Sequence, residues 1–389
     1  MDILRLLFIR LSALGDVVHA LPAAAAIKKA LPDTKLSWIA EPPQMELLRD
    51  NPLVDEIIEM PKSAWVSGLK NPRDFLSTQV EIFKFFSKLR AKKFDVAIDL
   101  QGLMKSALIG YISGAPIRIG YGGTRERADL LYTHRLEVGD FRAFDRHVVD
   151  LHLQLSERLL TIQGGSDVES SARAEFILPP PKISNRENID NLFSELSVHN
   201  LDAPPVQSET GGGAAKSLAA AGKNGVVVMI PGTTWETKIW PMEKWGELGE
   251  LIINRFGSRV ILVGGPSDTA NNVIIKEDIE RRCPDGTVRD ASGRTSISDL
   301  IELFGRVDLV VGLDTGPLHL AAAVAGCPVL AIHGATPWGR NGPYGERCAT
   351  VHLELSCQPC FKRVCPLGTK ECLTELSARH VFEQLEELV

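Results

Sequence analysis

The sequence predicts an α/β fold in which two doubly wound parallel sheets face a central cleft. Three observations support this prediction: short apolar runs of strand length recur along the chain, each is followed by sequence with helical periodicity, and the whole series occurs twice. Strands that alternate with helices favour a parallel sheet covered on both faces. With 389 residues, the chain has the length of two domains rather than one.

The first series begins with Leu4–Arg10, an apolar run that ends at a loop containing Gly15. Apolar residues then recur at helical spacing, which predicts a strand, a tight loop and a helix. The apolar runs Leu36–Glu41 and Phe94–Leu100 predict two further buried strands, and amphipathic sequence separates them. The first half therefore reads as one sheet with helices on its faces.

The second series contains four apolar runs, each followed by sequence that favours a helix. These runs are Gly225–Gly232, Ser258–Asp268, Val307–Gly316 and Cys327–Gly334. Before them, residues 201–225 are rich in Gly, Ala, Pro and Ser, the composition of a flexible insertion or linker. We expect one domain over residues 1–200 and a second over 226–389, whose C-terminal helix packs back on the first.

Composition excludes several classes of protein. Hydrophobic residues make up 44% of the chain and charged residues 24%, with a formal net charge of −6, which indicates a globular protein without a nucleic-acid partner. No apolar run approaches the roughly 18 to 20 residues of a membrane span. Arg10 and Asp16 interrupt the apolar N-terminus, which argues against an export signal. Seven cysteines, an odd number, fit a reducing cytoplasm better than a disulfide framework.

The strongest chemical motif follows the predicted strand that ends at Leu313. Asp314, Thr315 and Gly316 form a turn, and the proline after them suits the start of a helix. The free N–H groups of that helix attract an anion, and His319 lies about one turn further on. Asp314 or Thr315 could instead be a simple helix cap. A glycine-rich turn behind the next strand, with Thr336 at its start, favours a phosphate site.

A second group follows the strand that ends at Ile230. Thr233 and Thr234 offer hydroxyl groups, and Lys238 offers a charge that suits the developing charge of a phosphate. Parallel strands place their carboxyl ends at one edge of a sheet, so this group should lie near Asp314. Asp268 follows the next strand and is either a ligand of ribose hydroxyls or a helix cap.

The first half supplies three more candidates. Asp16 follows the first strand, where a lone carboxylate is either a helix cap or a general base for an incoming hydroxyl. Lys105 follows the strand Phe94–Leu100, and Arg125 adds to the positive charge of this region. Such charges suit an acceptor that carries phosphates or carboxylates.

The cysteines near the C-terminus have the spacing C-x2-C-x4-C-x6-C. They are Cys357, Cys360, Cys365 and Cys372. One C-x2-C pair is suggestive of a metal, but structural zinc sites usually combine two such pairs, and no histidine completes this one. Two interpretations remain open: a metal or cluster site, and a packed or redox-responsive group of thiols.

Several of these motifs together resemble glycosyltransferase family 9, the bacterial heptosyltransferases of the lipopolysaccharide inner core. The similar stretches are RLSALGDVVHALPA, DVAIDLQGLMKSAL, GYGGTRERADLLY, PGTTWETKIWP and GLDTGPLHLAAA. The resemblance, closest to enzymes that add the first heptose, implies a GT-B architecture of two Rossmann-like domains, with the acceptor in the first domain and the donor in the second. It implies transfer from ADP-L-glycero-D-manno-heptose to Kdo-lipid A with inversion, by a monomer at the inner face of the inner membrane, without a cofactor or metal.

The resemblance also implies a role for each matching residue. It makes Asp16 the general base, and it places Lys238 with Thr233 and Thr234 at the diphosphate. It assigns Asp314, Thr315, Gly316 and His319 to the donor, Asp268 to its ribose, and Lys105 and Arg125 to the acceptor. Three alternatives are a family member that adds the second heptose or another sugar, a nucleotide-dependent oxidoreductase, and a non-catalytic sugar-nucleotide-binding protein. The oxidoreductase lacks its G-x-G-x-x-G fingerprint here.

Overall fold

The computed structural model describes residues 3–124, 126–138, 146–164, 174–196, 225–283 and 287–389. The chain divides into two compact units, Met1–Pro179 and Pro180–Val389. Each unit contains one sheet of six parallel strands with helices packed beside it. The prediction of two Rossmann-like α/β domains is therefore confirmed.

The first unit is built from short buried strands and the helices between them. Its strands are β1 (Arg5–Ile9), β2 (Lys35–Ala40), β3 (Glu56–Glu59), β4 (Val96–Asp99), β5 (Ile117–Tyr121) and β6 (His134–Leu136). Its helices are α1 (Leu14–Ala30), α2 (Met45–Leu48), α3 (Lys62–Lys70), α4 (Phe75–Ala91), α5 (Met104–Ile112) and α6 (Val148–Ile162). The apolar side chains of β1 are fully buried, as expected for a strand covered on both faces.

The second unit begins with helix α7 (Ile183–Glu195). Its strands are β7 (Val226–Ile230), β8 (Arg259–Leu262), β9 (Val288–Asp290), β10 (Leu309–Leu313), β11 (Val329–Ile332) and β12 (Cys348–Val351). Its other helices are α8 (Met242–Phe256), α9 (Thr269–Arg282), α10 (Ile297–Arg306), α11 (Gly316–Val324), α12 (Trp338–Asn341), α13 (Glu371–Thr374) and α14 (Ala378–Leu388). A buried apolar core that includes Trp240 and Trp245 fills this unit.

Both sheets have the same strand order. The first runs β3-β2-β1-β4-β5-β6 and the second β12-β11-β10-β7-β8-β9, which is the same order read from the other edge. In each sheet the chain reverses its direction of winding between the first and the fourth strand. Such a switch point leaves a crevice at the carboxyl ends of those two strands, where α/β proteins bind their ligands.

Helix α1 explains the run of alanines near the N-terminus. Ala23, Ala24 and Ala25 are buried within it, and the Ser156 hydroxyl of α6 donates a hydrogen bond of 2.9 Å to the Ala23 carbonyl. Small side chains therefore allow α6 to pack closely on α1. Of the helices within the described ranges, none is long and apolar enough to cross a bilayer.

The division between the units falls earlier than residue 200, the boundary that the sequence predicts. Helix α7 belongs to the second unit because its polar side chains bond to α10: Asn185 Nδ2 donates to Asp299 Oδ1 at 2.8 Å, and Asp190 pairs with Arg306 at 2.7 Å. The C-terminal helix α14 packs on α8 of the same unit, and its packing on the first unit stays a prediction. Most of the predicted insertion, residues 201–224, lies outside the described residues.

Candidate active site

The switch point of the second unit brings Lys238 and Asp314 together. Lys238 ends a short 3-10 turn after β7, and Asp314 directly follows β10, the neighbouring strand. Lys238 Nζ donates to Asp314 Oδ2 at 2.8 Å and lies 4.9 Å from the centre of the Trp235 ring. The sequence prediction that these two residues lie at the same edge of the sheet agrees with this geometry.

Asp314 is the centre of a buried group of polar side chains. His319 Nε2 lies 3.0 Å from Asp314 Oδ1, and the Thr336 hydroxyl donates to Asp314 Oδ2 at 2.6 Å. Burial alone would raise the pKa of Asp314, but the bond to His319 and the charge of Lys238 hold it well below its usual value. The carboxylate is therefore ionised at pH 7, and it fixes Lys238.

His333 also belongs to this group, but it is not among the site residues predicted from the sequence. It is fully buried after β11, the strand beside β10, and its Nδ1 lies 3.3 Å from the Thr336 hydroxyl. Burial lowers the pKa of His333 to about 4, so its ring is neutral at pH 7. Its position after a strand next to the switch point is the signal that points to it.

The other predicted donor residues follow strands of the same sheet. Thr315 and Gly316 form the turn that starts α11, so the first N–H groups of that helix lie beside Asp314. Thr233 and Thr234 lie in the loop between β7 and Lys238. Asp268 Oδ2 accepts a hydrogen bond of 2.8 Å from the Gly265 N–H, which is the capping bond that the sequence analysis leaves open.

The cysteine-rich segment packs against the same edge of the second unit. The Phe361 N–H donates to the Ala335 carbonyl at 2.8 Å, and the Gln358 side chain donates to the Gly334 carbonyl at 2.8 Å. The Arg363 guanidinium lies 5.1 Å from the centre of the Trp235 ring, the ring that also contacts Lys238. This segment therefore helps to fix the loop that carries Lys238.

The four cysteines of this segment are free thiols. Backbone N–H groups of residues 367–370 lower the pKa of Cys365, whereas burial and the charges of the other three thiols raise the pKa of Cys372 to about 11. Across the described ranges, no three or more His, Cys, Asp or Glu side chains are arranged to hold a metal ion. The four sulfur atoms are close enough for their charges to interact, and both interpretations of this segment stay predictions.

The switch point of the first unit also holds an ion pair. Arg10 follows β1, and its Nη2 lies 2.5 Å from Asp16 Oδ1, at the start of α1. Asp16 Oδ2 accepts a bond of 3.0 Å from the Ala13 N–H, which is a capping bond. The Asp16 side chain nevertheless remains 40% exposed, so the carboxylate both caps the helix and faces solvent.

A buried carboxylate, Asp99, lies at the end of the neighbouring strand β4, beside the residue that bonds Arg10. Arg10 donates a bond of 2.7 Å to the Leu100 carbonyl, directly after Asp99 at the end of β4. Asp99 accepts hydrogen bonds from the hydroxyls of Ser106 and Tyr132 and from the N–H groups of Gln101 and Gly102. Burial raises the pKa of Asp99 despite these bonds. Asp99 is not among the site residues predicted from the sequence.

Lys105 is exposed on the first turn of α5. Partial burial and the nearby charge of Lys62 lower the pKa of Lys105, while Glu41 and Glu126 act in the opposite direction. Lys62 itself pairs with Glu41 at 2.9 Å. Lys105 thus belongs to a cluster of mixed charge, with two lysines and two glutamates. Arg125, the other predicted acceptor residue, lies outside the described residues.

Fold and site define a class of protein. Two Rossmann-like units, one with a fixed lysine beside a helix N-terminus and the other with an exposed carboxylate after its first strand, are typical of enzymes that bind a nucleotide-linked substrate. The family model described as glycosyltransferase family 9 (heptosyltransferase) matches residues 82–175 and 187–371. The chain belongs to this family and is a glycosyltransferase.

Individual relatives agree with this family over the full length. Lipopolysaccharide heptosyltransferase 1 of Pseudomonas aeruginosa is 26% identical over 403 residues, which cover 99% of this chain and 98% of the relative. The structure of E. coli heptosyltransferase WaaC with ADP matches with a TM-score of 0.69 at 23% identity, covering 99% of this chain and 100% of the other. The same enzyme with ADP-2-deoxy-2-fluoro heptose matches with a TM-score of 0.66 at 22% identity, covering 99% and 100%. The architecture is of the GT-B type.

Proposed function

We propose that the protein transfers L-glycero-D-manno-heptose from ADP-heptose to the Kdo residue of lipid A, with inversion at the anomeric carbon. The observation that carries this proposal is the buried group that holds Lys238 beside the start of α11, because it presents positive charge where a departing diphosphate needs it. Support comes from the relatives: one is a lipopolysaccharide heptosyltransferase 1, and the E. coli enzyme binds ADP and an ADP-heptose analogue.

In this mechanism the second unit binds the donor. Lys238 and the free N–H groups at Thr315 and Gly316 stabilise the charge that develops on ADP as its bond to the sugar breaks. Asp314 and His319 act as positioning residues, since they fix Lys238 and the start of α11 through one shared carboxylate. Thr233 and Thr234 contribute hydroxyl groups to the diphosphate. Asp268 uses Oδ2 for its capping bond, and we assign a ribose hydroxyl to Oδ1.

The first unit binds the acceptor and supplies the base. Asp16 removes the proton from an acceptor hydroxyl while that oxygen forms its bond to the anomeric carbon and the bond from this carbon to ADP breaks. The proton ends on Asp16 and the electron pair on the diphosphate. Because the hydroxyl attacks in a single displacement from the face opposite ADP, the sugar carbon inverts. Arg10 holds the carboxylate in one orientation. Lys105 and Arg125 bind anionic groups of the acceptor.

We propose that the reaction needs no metal ion. Lys238 and the start of α11 provide positive charge at the diphosphate, and the sequence has no Asp-x-Asp motif, which enzymes of the other large glycosyltransferase architecture use to hold a metal. The acceptor is a membrane lipid, so we place the enzyme, as a monomer, at the inner face of the inner membrane.

Transfer assays with a panel of sugar nucleotides test this proposal. The purified protein is incubated with ADP-heptose, other ADP-sugars and UDP-sugars, with Kdo-lipid A as acceptor and with or without a chelator. We expect transfer from ADP-heptose that is unchanged by the chelator. Transfer only from UDP-sugars would contradict the proposed donor, and complete loss with chelator would contradict the metal-independent mechanism. Faster transfer to an acceptor that already carries one heptose would identify an enzyme that adds the second.

A further inference from the structure

Helix α4 leaves an unusually large part of its surface uncovered. Only Thr78 and Leu89 of its 17 residues are buried. On its inner side, Phe85 and Phe86 pack against the Trp65 ring of α3, with centroid distances of 5.1 and 6.3 Å. This contact fixes which side of α4 faces the protein, and therefore which side faces solvent.

The solvent side of α4 carries a stripe of large apolar residues. Leu76 is 73% exposed, Val80 51% and Phe83 74%. Their spacing of i, i+4 and i+7 places them on one side of the helix. Scattered apolar residues are normal at protein surfaces, whereas a continuous stripe indicates an interaction site. We call Leu76, Val80 and Phe83 the α4 stripe.

An apolar groove extends the α4 stripe toward the neighbouring helices. This open groove of about 640 Å³ is lined by Phe83 and Ile82 of α4, Leu69 of α3 and Ile112 of α5. Leu108 is exposed one turn before Ile112, on the same side of α5. The apolar surface therefore spans three helices.

Basic residues flank this apolar surface. Residues 62–93 contain eight Lys and Arg but only two Asp and Glu, in a chain whose formal net charge is −6. Lys84 and Lys88 lie beside the α4 stripe on the same helix. Lys62, at the start of α3, lies close enough to Lys105 for their charges to interact, so this basic segment reaches the proposed acceptor residue.

We infer that the α4 stripe and the groove beside it dock on a bilayer surface that contains anionic lipid. An apolar helix face with lysines at its edges is the pattern of a helix that lies in the membrane interface, and the local positive charge complements anionic headgroups. Only the purpose of the docking, which is to bring Lys105 to a membrane-embedded acceptor, rests on the proposed function. The binding itself is measurable without transfer.

Vesicle co-sedimentation of the full chain tests this inference. The probes are vesicles of phosphatidylcholine alone and of phosphatidylcholine with phosphatidylglycerol, both without lipid A. We expect the wild-type protein to bind the anionic vesicles about tenfold or more tightly than the neutral ones, and less tightly as salt is added. The double variant L76S/F83S should lose about tenfold in affinity because it removes inserted apolar surface. K84E/K88E should lose the preference for anionic lipid.

A matched control changes exposed apolar residues of the second unit. Val273 and Ile274 are exposed on α9, and V273S/I274S should bind vesicles as the wild type does. The inference is overturned if the wild type binds neither vesicle, or if L76S/F83S binds as tightly as the wild type. It is also overturned if L76S/F83S leaves vesicle binding intact and instead converts a dimer to a monomer on size exclusion, since the stripe would then join two copies of the chain.

Transfer assays separate this inference from the proposed function. L76S/F83S should keep wild-type rates with a deacylated, water-soluble Kdo acceptor and lose about tenfold with Kdo-lipid A in vesicles. Vesicle binding without any transfer would leave the docking face intact and contradict only the proposed reaction. Equal transfer by the variant and the wild type in vesicles would contradict the docking face.

Discussion

Each of the two switch points holds an ion pair between a basic side chain and an aspartate, but the more buried member of the pair differs. In the first unit the cation is buried: Arg10 is 9% exposed and its partner Asp16 40%, at 2.5 Å. In the second unit the carboxylate is the more buried member: Asp314 is 5% exposed and Lys238 14%, at 2.8 Å. One topology thus presents an anion in one unit and a cation in the other. The buried partner orients, and the more exposed partner is available for chemistry.

Different neighbours produce this difference. Arg10 donates a hydrogen bond to the Leu100 carbonyl, which directly follows the adjacent strand. This bond keeps the guanidinium buried, so Asp16 stays at the surface. Asp314 is held in the interior by hydrogen bonds with His319 and Thr336, and Lys238 is the more exposed member of the pair. A base must meet an incoming hydroxyl, and a stabilising cation must meet a leaving anion. This difference supports our proposal that the base lies in the first unit and the leaving-group site in the second.

Removing the exposed carboxylate tests the assignment most strongly. Asp16→Asn keeps an oxygen for the capping bond from Ala13 but cannot take a proton, so kcat should fall by about 10³ to 10⁴. ADP binding, measured by calorimetry, should change less than about twofold, because we propose that the donor binds to the other unit. Asp33→Asn, at an exposed position before β2, is the control. Turnover above a tenth of wild type in Asp16→Asn would remove Asp16 from the mechanism.

Removing the cation of the second unit should have the next largest effect. Lys238→Met should lower kcat by about 10² to 10³, the usual cost of losing one donor to a developing charge. It should also destabilise the protein by about 3 kcal/mol, because the buried Asp314 carboxylate loses its charged partner. Urea unfolding and steady-state kinetics measure the two effects.

Lys276→Met is the matched control for this second test. It breaks a surface pair with Glu280 and should change the free energy of unfolding by less than about 0.5 kcal/mol. If Lys238→Met kept wild-type kcat while losing stability, Lys238 would be structural only, and the contrast between the two switch points would fail.

The sequence predicts the strand ends well, but it does not predict which side chains are buried there. Lys238 and Asp314 follow neighbouring strands, and the topology alone puts them at one edge. By contrast, Arg10 is buried where it donates a hydrogen bond to the carbonyl of Leu100, 90 residues away. No local sequence pattern predicts this contact. The sequence around Asp99 indicates only the polar end of a strand, whereas in the structure its carboxylate accepts four hydrogen bonds. Burial at such points depends on packing between distant segments.

The pH dependence of the free energy of unfolding tests whether the buried His333 of the second unit is neutral. The pKa of His333 is about 4 in the folded protein and about 6.5 in the unfolded chain. As the pH falls, His333 therefore takes up a proton in the unfolded chain before it does so in the folded protein. The stability that is present above pH 6.5 should be lost as the pH falls toward 4. The lowered pKa of Asp314 adds a further loss only below its ordinary value of 3.8. The His333 contribution is on the order of 3 kcal/mol.

Urea unfolding followed by intrinsic tryptophan fluorescence measures this loss. His333→Gln should flatten the curve between pH 6.5 and 4, whereas His380→Gln, at an exposed position, should leave it unchanged. An unaltered slope in His333→Gln would show that His333 is not held neutral. Thr336→Val offers a second probe, because it removes a hydroxyl that bonds Asp314 and lies beside His333.

The smallest expected effect concerns Asp268, which has two possible uses. Asp268→Asn retains an acceptor for the capping bond from the Gly265 N–H, so the free energy of unfolding should change by less than about 1 kcal/mol. If Oδ1 also accepts a ribose hydroxyl, replacing a charged acceptor by a neutral one should weaken ADP binding about fivefold. Calorimetry with ADP measures this change. An unchanged Kd would leave Asp268 as a cap alone and would confine donor recognition to the switch point around Asp314.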